Sequence, residues 1–181
     1  MKIKNSIFFK KYKIIKIILL IHLLVSFIVT TTMAVHGLID GNIKKPFQEN
    51  YENYIALYNP KEYLKDAVFV VDTAYIETQA TSNQGSSTTF KDYTIIRGHL
   101  LYSKTKQEIT CKYVNSNVLD SFYHQKVEKI NVLKNSINGI AFLEDKKYIS
   151  SEKMNAVANL YFNLSLIPLI LILLILKIKS K

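Results

Sequence analysis

The side chains best suited to chemistry lie in the middle of the chain. Asp72 interrupts the apolar run AVFVVDTAYIE, and His99 and His124 are the histidines between residues 40 and 153. An aspartate and a histidine held together relay protons, and with a third donor they bind a metal. These residues have no ligand spacing, and HExxH, GxSxG, CxxC and a phosphate-binding glycine loop are all missing from the sequence. The reading is therefore of no catalytic, cofactor-binding or metal-binding residue and no cofactor. Each histidine reads as a surface or hydrogen-bonded one. Asp72 reads as a bulge or strand-end residue that accepts backbone N–H bonds. The carboxylates of Asp72, Glu77, Asp92 and Glu108 converge only if the fold happens to bring them together. A pocket lined by both Asp72 and His99 would raise the standing of an enzyme. Cys111 is the single cysteine, so no internal disulfide forms. It alternates with Ile109 and Tyr113 in a strand-like run and reads as a buried thiol.

Two apolar segments position everything between them. Ile17–Ile39 and Met154–Leu176 each run 23 residues without Asp, Glu, Lys or Arg, and each holds 14 from the Leu/Ile/Val/Phe set. As helices they are about 35 Å long, enough to cross a hydrocarbon core of ~30 Å. The net charge of +10 sits at their outer flanks. Lys2, Lys4, Lys10, Lys11, Lys13 and Lys16 precede the first run, and Lys177, Lys179 and Lys181 follow the second. Residues 40–153 are left with 15 basic and 14 acidic side chains. That distribution predicts both termini in the cytoplasm of a multi-pass inner-membrane protein, with the middle exported. It also removes the basic stripe that binding nucleic acid requires. The first apolar run is too long for a cleaved signal h-region, and Thr32-Met33-Ala34 is a poor cleavage site, so an uncleaved signal anchor is expected. The lysine-, isoleucine- and asparagine-rich usage suggests an AT-rich bacterial genome.

The expected organisation is a basic cytoplasmic tail (1–16), a transmembrane helix (17–39), an extracytoplasmic β-rich domain (40–153), a second transmembrane helix (154–176) and a basic tail (177–181). Within the domain, Phe47, Tyr51, Tyr54, Ile55 and Tyr58 follow helical spacing over about 46–58. Asn59-Pro60-Lys61-Glu62 predicts a short helix capped by Asn59. Ala67–Glu77 reads as a central strand, because its start is apolar on both faces. Ala80–Thr89 reads as a polar loop. Strands at 93–102 and 107–114 form an antiparallel hairpin. In the first of these, Ile96, Gly98, Leu100 and Tyr102 share one face, and Arg97 and His99 share the other. Asn117 caps a helix at 118–125, a fourth strand spans 128–133, and the Asn138-Gly139 turn leads to a fifth at 140–143. The fold class is thus membrane α+β: two transmembrane helices flanking a small antiparallel sheet or partial barrel with one or two short helices.

This layout resembles a group of uncharacterised bacterial two-span membrane proteins with an exported small β-domain. The stretches that carry the resemblance are Ala67–Glu77, Tyr93–Tyr102 with Gly98, and Lys129–Leu133 before Asn135. That group often has a proline-containing motif after the last of these, whereas Leu133–Asn138 contains no proline. The resemblance implies a two-span topology and no defined activity.

Polar residues inside the apolar runs suggest how the helices meet. His22, Ser26 and Thr30 form one stripe on the first helix, and Asn159 and Asn163 share a face on the second. Polar groups are costly against lipid, so both stripes are expected to face protein. In an antiparallel pair Thr30 then lies level with Asn163, and Asn159 falls near Met33 and Ala34. The expected role is a membrane-anchored accessory or interaction protein without catalysis, presenting its β-domain to a membrane or envelope protein partner. A ligand or envelope-stress sensor acting through a membrane partner is the alternative, and an enzyme of unknown class the third choice. The other expected partner is the lipid bilayer.

Overall fold

The computed structural model describes residues 13–81, 89–124 and 128–179. The first apolar run, with the residues just before it, forms α1, Lys13–Ile39. At its end the chain turns back tightly. The Gly37 carbonyl accepts the Asn42 N–H at 2.7 Å. A Cβ on Gly37 would lie 2.7 Å from the Cα of Ile43, closer than any side chain tolerates. Next come α2, Lys45–Tyr58, and the single turn α3, Pro60–Tyr63, which starts on proline. Asn59 does not cap α3 as expected, since its side chain makes no cap bond. Its Nδ2 instead donates to the Ile55 carbonyl at 3.1 Å, sealing the C-terminal end of α2. The Asn59 amide thus serves the end of the earlier helix, and the start of α3 rests on Pro60.

Five strands follow: β1 Leu64–Thr81, β2 Thr89–Leu100, β3 Lys106–Cys111, β4 Lys129–Asn135 and β5 Ala141–Leu143. They form one antiparallel sheet in the order β3-β2-β1-β4-β5, curled into a half-barrel. β1 is the central strand, as its two-sided apolar start implies. Phe69, Ile96, Ile109, Val132 and Phe142, one from each strand, are the sheet's largest fully buried apolar side chains. The helix α4, Ser116–Tyr123, is tied to β1 by the Tyr123 hydroxyl, which donates to the Ala74 carbonyl at 2.6 Å.

Several expected boundaries shift for identifiable reasons. β1 and β2 pair as far as Thr81↔Thr89, so the ends of the expected 80–89 loop are strand, while 82–88 lie outside the described residues. β2 ends at Leu100 rather than 102. Tyr102, expected to share a strand face with Leu100, is 99% exposed with φ +69°. It occupies the third place of a turn in which the Ser103 N–H reaches the Leu100 carbonyl at 2.8 Å. β3 stops at Cys111, short of Tyr113. The α4 cap is Asn115, not Asn117: its side chain accepts the Val118 N–H at 3.2 Å, and its own N–H is held by Thr94 Oγ1 at 2.8 Å. That bond to β2 anchors Asn115 where the helix must begin. Asn138-Gly139 does turn, with Gly139 at φ +78°, but inside a five-residue connection, 136–140, between β4 and β5.

The two outer strands of the half-barrel are bridged by one side chain. The Gln107 amide of β3 donates to the Gly139 carbonyl at 3.0 Å and accepts the Ala141 N–H at 2.9 Å. Those are the two bonds a peptide of a neighbouring strand would make, so a side-chain amide substitutes for a missing rung. A second polar lock surrounds the β4–β5 turn. Buried Asn135 donates to Asn53 Oδ1 at 3.1 Å, Asn138 donates to the same oxygen at 2.9 Å, and each accepts a backbone N–H of the turn.

The last helix, α5, runs Lys146–Lys179, starting well ahead of the apolar run and continuing through Pro168. Proline has no N–H, so the Leu164 carbonyl loses its usual helical donor there. Two segments of these helices, Ile17–Ile39 and Lys146–Ile172, are long and apolar enough to cross a membrane, and only 6% and 11% of their most apolar windows are buried. The chain divides into two compact units, one built from the N-terminal residues through Tyr51 together with those from Met154 onward, the other Glu52–Lys153.

Candidate functional site

In the helical unit, polar side chains on α1 and α5 bond to one another. Thr30 Oγ1 donates to Asn163 Oδ1 at 3.0 Å, and the Asn163 amide contacts Met33 Sδ at 3.1 Å. Ser26, fully buried, shares a hydrogen bond with Ser165 at 3.0 Å. Ser165 was not singled out in the sequence, although it lies two residues from Asn163 inside the apolar run. His22 makes ring contacts with Tyr161 and Phe162 at 5.2 and 5.5 Å between centroids. Asn159 turns away from the expected neighbourhood of Met33 and Ala34. Its amide reaches Asn50 Oδ1 of α2 at 3.5 Å, and Asn50 in turn donates to the Ala156 carbonyl at 3.3 Å. The course of α2 supplied a partner that two-helix geometry did not include.

In the β unit, Asp72 stands at a register break between Val71 and Thr73. The bulge turns its carboxylate outward, to 3.6 Å from His99 Nδ1 and 3.8 Å from Lys106 Nζ. Gly98 makes the close packing here possible, because a Cβ on it would stand 1.9 Å from the Val70 carbonyl oxygen. Next to this group, Arg97 Nε bonds Glu108 at 2.7 Å and its guanidinium lies 5.5 Å from the Tyr75 ring centre. The Glu108 bond holds the Arg97 proton more firmly than usual. A cavity of about 430 Å³ is lined by Asp72, Arg97, Lys106 and Glu108 among others, and His99 is not part of its lining. Two acids facing two bases neutralise one another, which suits a structural ion-pair cluster. Asp92 lies apart from it, bonded to Thr78 at 2.7 Å, and Glu77 bonds Gln79 at 2.9 Å. Among the described residues no group of three or more His, Cys, Asp or Glu could hold a metal.

Three titratable groups, Cys111 and Tyr148 buried and Tyr113 half-buried, lie where α5 begins. Burial pushes the Cys111 thiol up to about 11, so it stays protonated and unreactive at neutral pH. Burial likewise raises the hydroxyls of Tyr113 and Tyr148. Asp145 caps α5 through the N–H groups of Lys147 at 2.7 Å and Tyr148 at 2.9 Å. Those bonds, led by the one from Tyr148, lower its pKa.

The hairpin of β1 and β2 outruns the sheet. β4 pairs with β1 only to Val70, and β3 pairs with β2 only from Thr94. Tyr75–Thr81 and Thr89–Tyr93 therefore form a two-stranded ribbon that, among the described residues, extends past the pairing of β3 and β4. Ile76 is 48% and Phe90 69% exposed on one of its faces. Such a ribbon is marginal in water by itself, and exposed apolar side chains along it are available for contact. The sequence carried a hint of it: the strand-forming alternation around Ile76 has no matching apolar run in β3 or β4.

No protein-family model matches the chain, and neither a curated protein nor a solved structure matches it.

Proposed function

We propose that the protein is a two-span inner-membrane protein that carries its β unit outside the cytoplasm and uses it as an accessory or interaction module. The membrane part rests on helices whose apolar side chains stand uncovered, including Ile14, Ile18, Leu24, Phe27 and Leu38 on α1 and Leu164, Ile167 and Leu171 on α5. Water would penalise that surface heavily, whereas lipid would not. Nine lysines at the outer flanks, against a nearly neutral middle, support cytoplasmic termini. A reporter fused at position 84 should be active for an exported enzyme and silent for a cytoplasmic one. The opposite pattern removes the topology.

The observation that carries the interaction role is the ribbon, which outruns β3 and β4 and exposes Ile76 and Phe90 on one face. An added strand or an apolar pocket on an envelope protein would cover it. A photo-crosslinking residue at Phe90 in native membranes should trap a discrete partner. The same residue at exposed Lys112, beyond the end of β3, should not. Equal trapping at both sites, or none at Phe90, refutes the role.

A further inference from the structure

The open end of the half-barrel holds two lysines where apolar side chains would be expected. Along β1, Lys65, Ala67 and Phe69 alternate onto one face, and their partners on β4 are Lys134, Val132 and Ile130. Phe69 and Val132 are core, so Lys65 and Lys134 end the core-facing side of the sheet. They are direct cross-strand partners. Like charges placed opposite one another destabilise a strand pair, and among the described residues neither lysine has a carboxylate within ion-pair distance. Both line a cavity of about 850 Å³.

The rest of the lining divides in two. Ser103, Thr105 and Ser136 supply hydroxyls, while Leu100, Leu101 and Tyr102 form an apolar and aromatic rim. Asp66 reaches the mouth from the alternate face of β1 and leaves it with one net positive charge. Tyr102 is held at φ +69°, a conformation unfavourable for a bulky side chain, with its ring fully in solvent. A strained, exposed aromatic beside paired cations suits a ligand clamp.

We infer that this cavity binds an oxyanion of the phosphate-ester class, its charge between Lys65 and Lys134 and its attached organic group against Tyr102. Lysine ammoniums with hydroxyl donors recognise phosphate as a concentrated charge. The attached group takes the tyrosine face. The source is either a soluble phosphate ester or an anionic lipid headgroup. The inference does not depend on the interaction role of the ribbon, which lies elsewhere on β1 and β2.

The test uses the full chain in neutral detergent. Lysines are acetylated in the presence of phenyl phosphate, dihexanoyl-phosphatidylglycerol or the zwitterionic dihexanoyl-phosphatidylcholine, and each site is followed by mass spectrometry. At about ten times Kd, acetylation of Lys65 and Lys134 should slow about tenfold, with Lys91 on the ribbon unchanged. Protection by phenyl phosphate points to a soluble ester, and protection by phosphatidylglycerol alone points to a lipid headgroup. Protection by neither, or equal protection at Lys91, overturns the inference. A thermal scan guards against a purely structural effect. Lys134→Gln should raise the unliganded midpoint by relieving repulsion and abolish the rise that the protecting ligand causes in the wild type. Tyr102→Gly should also raise the unliganded midpoint while weakening that ligand's binding. A ligand-induced rise that persists in Lys134→Gln overturns the site.

Discussion

The helical unit and the β unit solve opposite problems with the same side-chain alphabet. The β unit hides Phe69, Ile96 and Phe142 and turns Arg97, Glu108 and Lys106 outward. The helical unit leaves Leu24, Phe27 and Leu164 uncovered and turns Ser26 inward. In the first, apolar burial drives assembly, and a polar group such as Asn135 enters the interior only with its hydrogen bonds made. In the second, read as lying in lipid, apolar contact gives little preference for one neighbour over another. A few hydrogen bonds, Thr30 to Asn163 and Ser26 to Ser165, then set how the helices face each other. The β unit should therefore be sensitive to volume and backbone errors, and the helical unit should be tolerant of them.

The largest effect should come from Gly98→Ala. The added methyl meets the Val70 carbonyl at 1.9 Å, so β1 and β2 must separate at the bulge. A loss of about 3 kcal/mol or more is expected in the β unit. Protease resistance of Glu52–Lys153 should collapse while the chain still fractionates with membranes. Loss of both together would mean that the units do not behave separately.

Asn135→Ala comes next. It removes one hydrogen bond to Asn53, whose oxygen keeps the one from Asn138, and one to the Ile137 N–H, at a cost of about 1 kcal/mol each and so about 2 kcal/mol together. Denaturant unfolding followed by tyrosine fluorescence should show a lower midpoint, and an unchanged midpoint would remove the asparagine lock from the account.

Asp145→Ala removes the cap of α5 and should cost about 1 kcal/mol. The pH dependence has a definite sign. The folded pKa lies below the ordinary carboxylate value, so the contribution is present above about pH 4 and is lost as pH falls through the folded value. The wild type should lose stability in that acid window, and the variant should lose less. Parallel acid limbs would contradict the linkage.

The smallest effect is expected in the helices. Thr30→Val deletes the bond to Asn163 and should cost about 0.6 kcal/mol. A cysteine pair at positions 30 and 163, with Cys111 replaced by serine, should still crosslink within one chain. Crosslinking only between chains would dissolve the helix pair and with it the contrast between the units.

Much of this architecture can be read along the chain. The apolar runs, the central position of β1, the β2–β3 hairpin and the Gly139 turn follow from local pattern, because a period of two or an unbroken apolar stretch leaves few alternatives. The helix pairing of Thr30 with Asn163 follows from depth alone, since antiparallel helices of similar length match residues by distance from the ends. What was missed depends on which strand ends where. Tyr102 alternates in phase with Leu100, yet the strand stops before it. Asn117 is a competent cap, but Thr94 holds Asn115 in the position that matters. Lys65 and Lys134 lie 69 positions apart in the sequence and look like ordinary surface lysines until β1 and β4 are paired.

The sequence by itself determined the two long apolar helices, the lysine-weighted flanks and the strand-rich middle, because each is a property of neighbouring residues. Tertiary structure alone decided the Gln107 bridge between the outer strands, the placing of Asp72 beside His99 and Lys106, and the paired lysines at the mouth. All three depend on register between segments distant in sequence. Register is set by the summed packing of a whole sheet, which no local pattern contains.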